Sequence, residues 1–214
     1  MGFKGGEKLA AHIVPEEIPT TPARALFRDG LPRALDVAQT QKVAAEALQK
    51  SIAETKQQLL DENGKIRINP DLQKHLSTAG KYSQKYGING AHNKKAFLNE
   101  LERVGGEVDG LPESTSHPGI EKYMYRQPAF DAQGNIVGLK LRAKPKTTYD
   151  PDVISDNKIV EAATRAVEDN KNNIIKSISE GNSQFDIVDK NTGIEFRAYL
   201  DSATKSSLSN VHPK

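Results

Sequence analysis

Five histidines and a short lysine-bearing segment carry the reactive side chains of this 214-residue sequence. His92 stands in Gly87-Ile88-Asn89-Gly90-Ala91-His92-Asn93, a glycine-rich turn that delivers an imidazole to the start of a helix. His117 stands in Ser114-Thr115-Ser116-His117-Pro118-Gly119, a loop of small polar residues. Loops on a rigid scaffold are where catalytic groups concentrate, although a lone loop histidine is more often a solvated or capping residue. Along Lys144-Pro145-Lys146-Thr147-Thr148-Tyr149, strand alternation would point Lys144, Lys146 and Thr148 to one side. The bland reading of that segment is an edge strand whose lysines discourage aggregation. Asn210 and His212 share a face by the same alternation, with Ser209 beside them. His12 and His75 lie in polar or helical surroundings and read as surface residues.

Two imidazoles and an ammonium are what phosphodiester cleavage by a neighbouring 2′-hydroxyl requires. One imidazole takes the hydroxyl proton, the other protonates the departing 5′-oxygen, and both titrate near neutrality without much tuning. A cation beside them stabilises the charge that builds in the pentacoordinate transition state. No His-Glu-x-x-His, carboxylate–histidine cluster or P-loop occurs, and Gly87-x-x-Gly90 lacks the dinucleotide fingerprint. A metal hydrolase is therefore a poor match, and no cofactor is expected. The alternative from another class is a non-catalytic effector or adaptor that binds a protein partner.

These residues need a scaffold, and the hydrophobic pattern supplies an α+β one. Pro15, Pro19 and Pro22 mark residues 1–31 as an extended lead-in, with a short helix over Ala23–Arg28. Leu35, Ala38, Val43, Ala47, Leu48, Ile52, Leu59 and Leu60 recur at helical steps and predict a helix over about 33–61, stopped by Asn63-Gly64. Ile66–Ile68 reads as extended, and Asn69-Pro70-Asp71 opens a helix expected to reach Tyr86. Asn93 caps a helix through Val104, ended by Gly105-Gly106. Ile120–Gln127 and Ile136–Thr148 flank a turn at 131–135, and Phe185–Val188 and Ile194–Leu200 flank another at 189–193, so each reads as a hairpin. Between them a helix starts at Ser155-Asp156 and buries Ile159, Ala162, Ala163, Ala166 and Val167, while Ser206–His212 reads as a last strand. A helical N-terminal region thus precedes antiparallel sheets with flanking helices.

Composition narrows the classes further. With no cysteine, disulfide staples and thiolate metal sites are excluded. Mean hydropathy is −0.63, and no apolar run approaches the roughly 20 residues a membrane span needs. A net charge of +2 argues neither for nor against nucleic acid, so any RNA site must be a local patch.

The order of these pieces resembles the bacterial EndoU nuclease domains at the C-termini of contact-dependent growth inhibition and other polymorphic toxins. The resemblance rests on Gly-flanked His92 opening a helix, His117 in a following loop, and Lys146-Thr147-Thr148-Tyr149-Asp150-Pro151 at a later strand. A helix, a hairpin and a final strand then follow. It covers roughly 82–214, leaving 1–81 as a helical region for delivery into a target cell. Three departures stand out. Residues 107–113 look inserted, Asn210 and His212 replace a hydroxyl residue and a tyrosine, and Lys144 competes with Lys146.

The resemblance implies metal-independent cleavage of RNA, with tRNA one candidate target, to a 2′,3′-cyclic phosphate and a 5′-hydroxyl. His92 and His117 would be general base and acid (in either order), and Lys146 the transition-state stabiliser. Lys144, Thr148, Ser209, Asn210 and His212 would bind substrate. It also implies a cognate immunity protein, expected to be acidic, and delivery as the C-terminal part of a surface toxin that acts in the target-cell cytoplasm.

Overall fold

The structure is a computed structural model that describes residues 34–214, with side chains from residue 37 onward. The expected lead-in, its short helix and His12 lie outside the described residues. Residues Glu46–Lys214 form one compact unit.

Helix α1 (Ala34–Leu59) follows the predicted periodicity and stops short of Asn63-Gly64. The next helix departs from expectation. α2 (Leu72–Ser77) is only six residues long, and Ala79–Ser83 is strand β1 rather than a continuation to Tyr86. Thr78, extended and β-branched, takes the chain out of the helix, and β1 pairs antiparallel with β2 (Gly87–Gly90). The glycine-rich turn is therefore largely strand. A domain boundary between 81 and 82 would fall within β1, and Leu59, Ile66, Leu72 and Leu76 join the main core.

Helix α3 (Lys94–Arg103) is capped as expected, the Asn93 side chain accepting from the Ala96 amide at 3.2 Å. The short strands β3 (Glu107–Val108) and β4 (Glu113–Ser114) occupy the segment that looked inserted. The predicted strand 120–127 is two strands in two sheets, β5 (Ile120–Tyr123) and β6 (Tyr125–Phe130). Its partner divides likewise into β7 (Ile136–Leu141) and β8 (Lys146–Tyr149). One sheet has the order β3-β6-β7 and the other β4-β5-β8. Helix α4 (Asp156–Asp169) buries the five apolar residues expected of it, and an unforeseen α5 (Lys171–Ser179) follows. Strands β9 (Gln184–Val188), β10 (Glu195–Leu200) and β11 (Leu208–Pro213) make a third antiparallel sheet.

Two clusters hold this α+β fold together. The larger gathers α4 and α5 with β9–β11, Leu72, Leu76 and Tyr149. The smaller packs Phe97 and Leu101 of α3 on Ile88, Ala91, Tyr123 and Tyr125. Among the described residues no helix is long and apolar enough to cross a membrane.

Candidate active site

A left-handed kink presents His92. Gly90 (φ 63°) and Ala91 (φ 50°) both take the conformation that side chains with a Cβ resist, which turns the chain sharply from β2 into α3. Ala91 is fully buried and its amide donates to the Thr78 carbonyl at 2.8 Å, so packing and hydrogen bonding hold the strained residue in place. A Cβ at Gly90 would come within 2.8 Å of the carbonyls of His75 and Thr78. The backbone of α2 and the turn before His92 therefore lie in direct contact.

His92 is buried. Its Nδ1–H donates to the Thr147 carbonyl at 2.8 Å, and its own carbonyl accepts from the Tyr149 amide at 2.7 Å. Because a carbonyl can only accept, the ring proton sits on Nδ1 and Nε2 keeps its lone pair. β8 thereby clamps His92 on one side, and the Asn93 amide, donating to the Leu76 carbonyl at 2.8 Å, ties it to α2 on the other.

Three more side chains converge there. The His212 ring, on β11, stacks on His92 with centroids 4.4 Å apart, and Tyr199 of β10 stacks behind it at 5.6 Å. The His75 ring, on α2, lies 5.5 Å from that of His92, and its buried Nε2 has no hydrogen-bond partner. Lys146, at the start of β8, donates to the carbonyls of Ile88 (3.3 Å) and Gly90. Each histidine is adjacent in sequence to a fully buried residue (Leu76, Ala91 or Val211), so core packing fixes where all three rings stand.

Burial without a compensating carboxylate sets the electrostatics. Desolvation pulls the Lys146 amine down to about 7 and the His212 imidazole to about 4. It also lowers His75, with Lys146 adding to the effect, and lowers His92 well below the ordinary imidazole value, with Lys146 and His212 contributing. Every group is pushed towards its neutral form because positive charge here lacks a counter-ion. An anion entering the site would supply one and draw protons onto these groups.

These side chains line a cleft of about 840 Å³ that also exposes Lys122, Arg142, Lys144, Arg197, Lys214 and a single carboxylate, Asp201. Arg197 and Lys214 are paired with Asp186 outside the cleft lining, whereas Lys122 and Lys144 have no carboxylate partner among the described residues. The chain's near-neutral charge conceals this local cationic patch.

The expected site residues divide between cleft and elsewhere. His92, Lys146, Lys144, Ser209, Asn210 and His212 all line the cleft. Thr148 does not: within β8 it is fully buried, its hydroxyl without a partner. His117 does not reach the cleft either. It lines a separate recess with Glu113, Ser114 and Glu195, its Nδ1–H donating to the Pro118 carbonyl at 2.9 Å. Beside His92 the structure places His75 and His212, and His117 stands apart from all three. His75 was missed because the long predicted helix left it without a partner, yet its spacing three residues after buried Leu72 already set it beside the apolar stripe of α2. Among the described residues no group of three or more His, Cys, Asp or Glu side chains could hold a metal ion.

Comparison with known proteins agrees with this architecture. The family model described as bacterial EndoU nuclease matches residues 71–214. The chain is 36% identical over 150 residues to a protein named tRNA nuclease CdiA from Yersinia mollaretii, covering 69% of this chain and 5% of that protein. It is 37% identical over 145 residues to one of the same name from Escherichia coli strain STEC_O31, covering 65% of this chain and 4% of the relative. The chain thus spans about a twentieth of the length of these relatives. Through the match over 71–214 this chain belongs to the bacterial EndoU nuclease family.

Proposed function

We propose that the cleft cleaves RNA by attack of a 2′-hydroxyl on the adjacent phosphorus, leaving a 2′,3′-cyclic phosphate and a 5′-hydroxyl. The observation that carries this reading is the convergence of three imidazoles and one buried amine with no carboxylate among them. His92 acts as general base. Its Nδ1–H is committed to Thr147, so Nε2 offers a lone pair, and its strongly lowered pKa keeps it unprotonated. His75 acts as general acid, being shifted less and having an unpartnered Nε2 to donate to the leaving 5′-oxygen once protonated. The attacking oxygen forms the P–O2′ bond as the P–O5′ bond breaks, and one proton moves to each departing or accepting site.

Lys146 binds the non-bridging phosphate oxygens. The phosphate's charge holds it as ammonium, and that pairing strengthens as the dianionic transition state forms. His212, Asn210 and Ser209 on β11 contact the nucleotide beside the scissile bond, with Lys122 and Lys144 on flanking phosphates. His117 takes no part in this chemistry.

The names of the relatives support tRNA as the substrate class. By the same analogy this domain is the C-terminal toxin part of a much longer surface-delivered protein, acts in the cytoplasm of the target cell, and is blocked by an acidic immunity protein that fits the cationic cleft. The nuclease unit includes at least residues from Leu59 onward, since Leu59 and Ile66 are core, leaving delivery roles to what precedes it.

The test is incubation of purified protein with total bacterial RNA in EDTA, beside His75→Ala, His92→Ala and His117→Ala. Cyclic-phosphate ends from the wild type and His117→Ala alone support the assignment. Cleavage that survives His75→Ala but not His117→Ala would refute the His75–His92 pair, and no cleavage without added metal would refute the mechanism.

A further inference from the structure

Strand β7 is an anomaly on this surface. All six of its residues are exposed, including Ile136 (61%), Val137 (65%), Leu139 (42%) and Leu141 (44%). It stands at the end of the sheet order β3-β6-β7, so its outer edge presents backbone donors and acceptors that no strand of this chain takes up among the described residues. Exposed apolar edges invite pairing, and chains that do not use them blunt them with charge, proline or cover. Along β7 only Lys140 and one bulge do so.

The register with β6 shows what the edge offers. Ile136, Leu139 and Leu141 stand opposite Phe130, Pro128 and Arg126, so they share one face, with Val137 the extra residue at a bulge. Gly138 and Lys140, opposite Ala129 and Gln127, share the other face. Just beyond the strand the chain continues with Arg142 and Lys144, both of which line the cleft. Arg142 is fixed in place by donating to the carbonyls of Lys85 and Tyr86 at 3.0 and 3.2 Å. The edge is thus apolar on one face and cationic on the other, and it leads to the cleft mouth.

We infer that β7 is a docking edge for a strand of a partner protein in which apolar and acidic residues alternate. Such a strand would complete the hydrogen-bond ladder, cover Ile136, Leu139 and Leu141 with one face, and set carboxylates against Lys140, Arg142 and Lys144 with the other. A second copy of this chain suits the edge poorly, because it would bring the same three cations to a surface that already carries them.

The probe is a labelled, end-blocked peptide of alternating Glu and Val, eight residues long, titrated by fluorescence anisotropy against the full chain. The control peptide has Lys in place of Glu. Saturable binding of the acidic peptide alone is expected, weakened about tenfold by Lys140→Glu and by Leu139→Lys, as for loss of a central contact. Amide exchange should slow across residues 136–141 when the peptide is bound. Both substitutions are at exposed positions, and a circular dichroism spectrum and melting curve matching the wild type show that each variant is folded. Equal binding of the two peptides, no binding, or protection confined to the cleft would overturn the inference. Concentration-dependent dimerisation that Leu139→Lys abolishes would also overturn it by making a second copy the occupant. Because the readout is binding, it stands or falls independently of the cleavage assay.

Discussion

Lys146→Met separates what this residue does for the reaction from what it does to the fold. The amine is held at about 7 against an ordinary 10.5, a difference of 3.5 units. At 1.36 kcal/mol per unit this sets a ceiling of about 5 kcal/mol on the destabilisation caused by the buried charge, and about 4 at pH 7, where the folded amine is half neutral. Methionine removes that cost but orphans the carbonyls of Ile88 and Gly90, a loss of about 2 kcal/mol. The net expectation is a variant more stable by about 2 kcal/mol, or a Tm higher by about 4–8 °C for a domain of this size. Cleavage should fall by at least 10²-fold, since a transition-state cation is gone.

The pH dependence makes the argument sharper. Between about pH 7 and 10.5 the unfolded chain binds a proton at Lys146 that the folded chain does not. Stability of the wild type should therefore rise with pH across that window, by up to about 1.4 kcal/mol per unit, and the variant should lack this component. Urea unfolding at pH 7, 8 and 9 measures both. If Lys146→Met is less stable than wild type at pH 7, or the two curves run parallel with pH, burial is not what depresses the amine and the reasoning fails.

Other expectations follow from the same geometry. In single-turnover cleavage, His75→Ala and His92→Ala should each lose about 10²–10⁴-fold, while His117→Ala stays within about threefold of wild type. His212, at about 4 in the fold, binds its proton later than in the unfolded chain, so stability should fall as pH drops from 6.5 towards 4. His212→Phe keeps the stack on His92 and should flatten that fall, by up to about 3 kcal/mol at pH 4, as acid titrations followed by circular dichroism would show. Gly90→Ala forces a Cβ against two carbonyls at a left-handed residue. It should cost about 1–3 kcal/mol in thermal unfolding and lower kcat more than it raises KM, because the displaced group is His92 rather than a substrate contact.

The sequence by itself determined most local choices. Asn93 and Ser155 as caps, the apolar face of α4 and the turns at 131–135 and 189–193 are governed by neighbours a few residues away, and each forms as its pattern dictates. His92, Lys146 and the β11 residues could be singled out because a strained glycine turn and strand alternation leave local marks. The tertiary structure decided which histidines meet. Residues 75, 92, 146 and 212 come together through long-range backbone bonds, from Asn93 to Leu76, Tyr149 to His92 and Asn69 to Leu208, that no spacing encodes. Only the packed fold also shows that Thr148 is buried and that His117 lines a separate recess. The lowered pKa values of His75, His92, Lys146 and His212 arise only on assembly, since desolvation is a property of the packed site and not of any segment within it.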